Sequence, residues 1–181
     1  MKRVFDFSLA LIGITVSFPL WLLLIFLIWL EDGRPVFYIQ DRLGLNEKKF
    51  KLIKFRTMDS GDKRVSKFAN FLRKTALDEL PQLINILRSE MSFVGPRPIA
   101  VEEFVAGEDV RARLKLKPGL TGIAQILLPK DVPLQEKTKY DIWYAQNRSL
   151  KLDIGLILRS FWISLGRKWD KNNKSYKAHA D

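Results

Sequence analysis

From Leu9 to Leu30 the chain has 22 residues without one charge, and fifteen of them are Leu, Ile, Val or Phe. Each such residue favours a bilayer by roughly 0.3–0.6 kcal/mol on an insertion scale, so the run as a whole is strongly apolar. A helix rises about 1.5 Å per residue, so the run just matches a hydrocarbon core of about 30 Å. The stretch is too long for a cleaved leader, and it ends in Trp29-Leu30-Glu31-Asp32 rather than in a small-x-small site. The first expectation is a membrane segment.

Charge then constrains how that segment sits. The chain carries 31 Lys+Arg against 20 Asp+Glu, a net of +11, yet residues 1–30 hold only Lys2, Arg3 and Asp6. Both flanks of the run are basic, and the positive-inside rule draws both to the cytoplasmic side. A simple span cannot satisfy this, whereas a helix that enters, breaks and leaves on one side can. Pro19, with Ser17 just before it, is the point where such a break is expected: proline removes a backbone bond, and a serine hydroxyl can satisfy a freed carbonyl. The residues alone leave a plain kinked span equally open.

The mean hydropathy of −0.07 hides this asymmetry. The 181 residues include no cysteine and one histidine, His179. Disulfides, thiolate nucleophiles and zinc-thiolate sites are excluded, and a Ser-His-Asp triad or a multi-histidine metal site is not expected. Chemistry is left to carboxylates, Lys, Arg, hydroxyls and an oxygen-ligated cation such as Mg²⁺.

The rest of the chain reads as α+β, mostly helical. Val36–Arg42 and Phe50–Thr57 are β-rich runs around Gly44-Leu45-Asn46-Glu47, the pattern of a small hairpin. Asp62–Lys74 places Val65, Phe68, Ala69 and Leu72 on one stripe among basic residues, an amphipathic helix of the interfacial kind or one packed on a core. A second helix is expected from Asp78 to about Glu90, with Pro81 in its first turn. Ser92–Pro98 and Lys117–Gly122, rich in Pro and Gly, read as irregular loops. Glu102–Leu116, Leu134–Asn147 and Leu150–Leu165 read as helices, the last again suited to an interface. The expected organisation is a re-entrant anchor over 1–32, a catalytic domain over 33–167 and a polar tail over 168–181.

One constellation suggests chemistry. Asp78-Glu79 falls at an expected helix start, where Asp78 taken alone need only be an N-cap. Lys54 and Arg56, two residues apart, are expected on one face of a strand, and Arg97 is fixed between two prolines. A carboxylate pair, arginines and a membrane anchor suit phosphoryl transfer involving a lipid, because arginine matches phosphate geometry and a carboxylate can hold Mg²⁺ or act as nucleophile.

The blocks Lys2-Arg3-Val4-Phe5-Asp6, the run with Ser17 and Pro19, Phe50–Met58, Leu77-Asp78-Glu79-Leu80-Pro81-Gln82-Leu83, Met91–Pro98 and Lys117–Gly122 together resemble the bacterial sugar transferases, the small monotopic polyprenyl-phosphate phosphoglycosyl transferases. The likeness covers Lys2 to about Leu165. It implies transfer of a sugar-1-phosphate from a nucleotide diphosphate sugar, usually a UDP-sugar, to polyprenyl phosphate, with UMP released. It implies Asp78 as the nucleophile forming an acyl-phosphate sugar, Glu79 as the Mg²⁺-associated acid with Asp78 beside it, and Arg97 as a phosphate-binding residue. It also implies a re-entrant segment broken at Ser17 and Pro19, on the cytoplasmic face of a bacterial inner membrane. Larger relatives carry extra N-terminal membrane helices, so the resemblance implies a minimal catalytic unit. The partners it implies are donor, lipid acceptor, membrane lipids and downstream glycosyltransferases.

The sequence departs from the family after Ala124-Gln125. Ile126–Asp131 replaces a common Asn-Gly-Arg triplet, which puts in question whether Lys130 substitutes for the arginine. Lys117 stands where arginine is common and lacks its two-pronged fork. The Asp141–Tyr144 and Arg148–Leu150 segments also look family-like, with helix packing an equal explanation. A membrane-anchored basic binding module or scaffold without catalysis is the competing class. Nucleic acid is not expected, since the basic residues are dispersed among apolar helices and no reader motif appears.

Overall fold

The computed structural model describes residues 1–57, 66–104, 108–129 and 132–164. It is mostly helical, with small sheets. The chain divides into two compact units, Met1–Asp41 with Phe50–Met91, and Arg42–Lys49 with Ser92–Asp181.

The first unit is built on α1, Lys2–Asp32, a helix long and apolar enough to cross a membrane. Its buried residues, Asp6, Ala10, Trp21, Leu24 and Ile28, fall at helical spacing, while Val4, Leu11, Val16, Leu22, Phe26 and Leu30 stay exposed. Helical structure continues through Pro19, so the interruption expected at Ser17 and Pro19 does not occur in the secondary structure. The surrounding turns stay closed: Ser17 Oγ donates to the Gly13 carbonyl at 2.6 Å, and Thr15 Oγ1 to that of Leu11 at 2.9 Å. Such bonds back into the preceding turn let a long helix carry a proline. Contrary to expectation, the serine hydroxyl therefore does not take up the carbonyl of Thr15, four residues before Pro19.

The hairpin forms as expected, with β1 at Phe37–Leu43 and β2 at Lys49–Phe55. Phe55 sits at the centre of the first unit's core. Trp21 meets it edge-on at 5.8 Å between centroids, and Phe37 stacks on it at 5.5 Å. Helix α2, Lys67–Thr75, begins at Ser66, whose Oγ accepts from the Ala69 N–H. Ala69 and Leu72 are buried and Phe68 packs against the core, as the stripe required. Asp62–Val65 lie outside the described residues.

The helix expected from Asp78 to Glu90 is shorter and broken. A 3₁₀ turn spans Leu77–Glu79, then α3 covers Gln82–Leu87, and Ser89 at φ 66° ends it. Packing explains this. Leu77, Leu80 and Ile84 all contact the core, at steps of three and four, and Pro81 has no N–H to extend an α-helix backward. Helix α1 packs along α3, where a methyl added at Gly13 would lie 3.3 Å from Leu83 Cδ1.

The second unit departs most from expectation. Both presumed loops contain strands: β3, Ser92–Val94, and β5, Gly119–Thr121, pair in parallel with Ser92 opposite Gly119 and Val94 opposite Thr121. Glycine permits the approach. A Cβ at Gly95 would lie 2.2 Å from the Lys117 carbonyl oxygen, and one at Gly119 would lie 2.1 Å from the Gly95 nitrogen. Strand β4, Ile99–Ala100, pairs antiparallel with Leu43 and Arg42 at the hairpin tip. In place of the helix expected over 102–116, a 3₁₀ turn at Val101–Glu103 and α4, Glu108–Leu114, lie on either side of residues outside the description. Helix α5, Ile123–Leu127, was not expected. Helices α6, Leu134–Asn147, and α7, Leu150–Ser164, match the periodicity. On α7, Leu150, Ile154, Leu158, Phe161 and Trp162 are exposed along one stripe.

Candidate active site

Asp78 is held by its neighbours in sequence. Leu77 and Leu80 anchor the 3₁₀ turn in the core, and Ala76 enters it in the left-handed region at φ 57°. Because the turn is fixed on both sides, Asp78 is buried, with 8% of its surface exposed. Glu79 Oε1 accepts from Lys54 Nζ at 2.8 Å, with the two side chains 17% and 16% exposed. The Asp78 carboxyl is pushed above the usual carboxylate range, first by burial and then by the adjacent Glu79 charge. Lys54, a backbone hydrogen bond and Arg73 pull the other way. A strand lysine thus balances one of two neighbouring carboxylates, and the other is held in an environment that makes it more basic.

The structure separates the basic residues that the sequence grouped. Lys54 joins the carboxylates, but Arg56 turns to α1: its Nη2 donates to the carbonyl of Asp32 and lies 3.4 Å from that of Gly33. A guanidinium on the last carbonyls of a helix caps it. Arg56, expected to bind phosphate, here holds the end of α1. Arg97 belongs to the second unit, where it is exposed between buried Pro96 and Pro98. Lys117 lies in the segment that abuts Gly95. Lys130 lies outside the described residues.

Three contributors were not foreseen. Asn85 is fully buried and locks α3 to β2: its Nδ2 donates to the Lys51 carbonyl at 2.7 Å and to Glu90 Oε2 at 2.6 Å, and its Oδ1 accepts from the Ile53 N–H at 3.2 Å. This bond sits one residue before Lys54, so it sets the strand position from which the lysine reaches Glu79. An asparagine within Leu83-Ile84-Asn85-Ile86-Leu87 was the available signal, because a buried amide must find partners. Arg3, read as a charge and as part of the Lys2–Asp6 block, donates Nη1 to the Ile86 carbonyl at 2.6 Å and Nη2 to that of Leu87 at 2.7 Å. The third contributor is a pair in the second unit: Arg113 and Asp141 approach at 3.1 Å with side chains 3% and 2% exposed.

No group of three or more metal-ligating side chains comes together among the described residues. Two adjacent carboxylates nonetheless fit Mg²⁺, which keeps several waters and takes one or two carboxylates plus substrate phosphates. Lys54 pairs with Glu79 at 2.8 Å, and the Asp78 carboxyl beside it is raised by the Glu79 charge, a setting that a cation would relieve.

The sequence profile described as "Bacterial sugar transferase" matches residues 1–167. The UDP-galactose-lipid carrier transferase of Erwinia amylovora is 36% identical over 92% of this chain and 41% of its own length. The exopolysaccharide production protein ExoY of Sinorhizobium fredii is 36% identical over 88% of this chain and 83% of its own. The UDP-glucose:undecaprenyl-phosphate glucose-1-phosphate transferase of Xanthomonas campestris pv. campestris is 35% identical over 92% of this chain and 39% of its own. The chain thus spans about two fifths of two of these relatives and most of the third. With its Asp78-Glu79 turn and apolar α1, the chain belongs to the bacterial sugar transferase family.

Proposed function

We propose that this bacterial sugar transferase moves a sugar-1-phosphate from a UDP-sugar to polyprenyl phosphate in two half-reactions. In the first, an Asp78 oxygen attacks the sugar-linked phosphorus, the bond to the bridging oxygen breaks, and UMP leaves with that oxygen. In the second, the phosphate oxygen of the lipid attacks the same phosphorus. The acyl-phosphate bond breaks, the Asp78 carboxylate returns, and a polyprenyl-diphosphate sugar departs. Downstream glycosyltransferases would extend that product. The observation carrying this reading is the buried Asp78 beside Glu79, with Lys54 on the neighbouring strand.

The residues present support the chemistry. A carboxylate raised by burial is a better nucleophile than a solvated one. Lys54 holds Glu79 and lowers the repulsion that a diphosphate meets at two carboxylates. Asp78 and Glu79 would hold Mg²⁺, which when bound supplies charge neutralisation for the diphosphate. Arg97, fixed by its backbone and exposed at its side chain, is assigned to a donor phosphate. A covalent intermediate lets the soluble donor leave before the lipid enters.

The same reading makes the protein monotopic, on the cytoplasmic face of the inner membrane, with α1 re-entrant. Both ends of α1 support it. Arg3 grips the end of α3, and Arg56 grips the carbonyls of Asp32 and Gly33, so each end is tied to the first unit. Thr15, Val16, Phe18 and Pro19, in the middle of the run, are not buried by the protein. The apolar stripe of α7 suits the interface where the lipid phosphate lies.

The test is UMP release from candidate UDP-sugars with Mg²⁺ and undecaprenyl phosphate. Asp78→Ala is expected to abolish it, and full activity in that variant would sink the mechanism. Cysteines at Lys2 and Lys48 are expected to label from one side of the membrane; labelling from opposite sides would establish a span.

A further inference from the structure

The segment Val94-Gly95-Pro96-Arg97-Pro98 has an unusual backbone. From Met91 to Ala100 every residue is buried except Arg97. Each of the five segment residues has a backbone atom met by another part of the second unit. The Gly95 N–H donates to the Thr121 carbonyl at 3.0 Å, and the Pro96 carbonyl accepts from the Gly119 N–H at 2.8 Å. The carbonyls of Val94, Arg97 and Pro98 face side chains. The Tyr144 hydroxyl lies 3.4 Å from Val94 O while donating to Asp153 Oδ1 at 2.5 Å. Arg42 Nη1 donates to Pro98 O at 3.1 Å, and Arg113 Nη2 donates to Arg97 O at 3.0 Å.

The contact at Arg97 differs from the rest because its donor, Arg113, is a buried guanidinium held in an ion pair. The same Nη2 of Arg113 lies 3.1 Å from Asp141 Oδ2, and Nε of Arg113 is buried with no hydrogen-bond partner among the described residues. The Asp141 carboxyl is itself raised to about 6, by burial more than Arg113 lowers it. A buried ion pair is expensive and is weak evidence of added stability; an apolar pair of similar volume often serves the fold as well. What an apolar pair cannot do is hold a carbonyl. The pair spans α4 and α6, and Arg113 meets the loop at Arg97, whose side chain is exposed.

We propose that Arg113, anchored by Asp141, is a positioning residue that fixes the Arg97 backbone and so aims the Arg97 side chain at a phosphate of the donor. This rests on the assignment of Arg97 to donor phosphate. Neither Arg113 nor Asp141 touches substrate.

The deciding variant is Arg113→Met combined with Asp141→Leu, which removes both charges together and leaves neither buried alone. In the full-length membrane-embedded protein it is expected to melt within a few degrees of the parent. Its KM for the UDP-sugar is expected to rise about tenfold, with kcat within about twofold and KM for the lipid acceptor unchanged. In an Arg97→Ala background the same pair is expected to change the donor KM no further, since the strut acts only through Arg97. A merely structural pair would lower kcat through the folded fraction and leave the donor KM alone. If the double variant does not fold, Arg113→Lys, which keeps the charge and loses the fork, is read by the same criteria. An unchanged donor KM, or an equal rise with and without Arg97, overturns the proposal. If Arg97→Ala itself leaves the donor KM unchanged, the phosphate assignment fails, and the proposal loses its basis with it.

Discussion

Two ion pairs mark the two units, and they are built in opposite ways. Lys54–Glu79 in the first unit is about one-sixth exposed at each end, beside a carboxylate held at raised pKa. Arg113–Asp141 in the second is sealed, with 3% and 2% exposed. A partly open pair can exchange partners when an anion or cation arrives, so it suits chemistry. A sealed pair cannot, so it suits holding a shape. The supports differ in the same sense. The Asp78 turn is held by apolar side chains, Leu77 and Leu80, which pack against the core on either side of the two carboxylates. The Arg97 loop is held through its backbone, which leaves one side chain to solvent.

The largest effect is expected beside the open pair. Asp78→Asn is expected to reduce UMP release by at least about 10³-fold, because it removes the proposed nucleophile. The same variant is expected to melt about 2–4 °C higher, since it removes a buried charge repelled by Glu79. A melting point that falls would contradict the strained-carboxylate account. Gly95→Ala comes next. Its methyl meets a backbone oxygen at 2.2 Å, which has no rotamer by which to yield. A loss of about 1–3 kcal/mol is expected in chemical denaturation, along with most of the activity. Lys54→Met removes the ammonium that pairs with Glu79 at 2.8 Å and lowers the Asp78 pKa. A fall in kcat of about 10²-fold is expected, and wild-type kinetics would remove the lysine from the site.

The smallest effect belongs to the sealed pair and is read by pH. The Asp141 pKa is 3.8 in a solvated chain and about 6 in the fold. The folded state thus binds more protons between those values, and stability falls as pH rises through that window and is level above it. Relative to Asp141→Asn, the wild type is expected to lose melting temperature from about pH 4 to about pH 6 and to change little beyond. A wild type that gains melting temperature relative to Asp141→Asn over that window would mean that Arg113 dominates the carboxylate instead.

The sequence made the first region more legible than the second. The apolar run, the hairpin and the Asp78-Glu79 block are local patterns, and local patterns survive folding. Lys54 lies within β2, and the structure places it on Glu79. Arg56 does not share the Lys54 setting, because side-chain alternation holds only inside a strand and Arg56 lies just beyond β2, where it turns to the end of α1. Helix α3 was overextended because periodicity cannot register that Pro81 and the core contacts of Leu77 and Leu80 favour a tight turn first. In the second unit, Pro and Gly at Gly95 and Gly119 were read as signs of irregularity. They are what allow two backbones to pair at a distance that a Cβ would forbid. Arg113 and Asp141 lie 28 positions apart and meet only through the packing of α4 and α6, which no local pattern encodes.

The central claim is a covalent bond between Asp78 and the transferred phosphosugar. The direct measurement is intact-protein and peptide mass spectrometry after the enzyme is mixed with Mg²⁺ and a UDP-sugar in the absence of lipid acceptor. The expected result is a mass increase of one sugar phosphate on the peptide containing Asp78, formed with one equivalent of UMP and discharged when polyprenyl phosphate is added. UMP release that requires the acceptor, with no adduct on Asp78, would contradict the account.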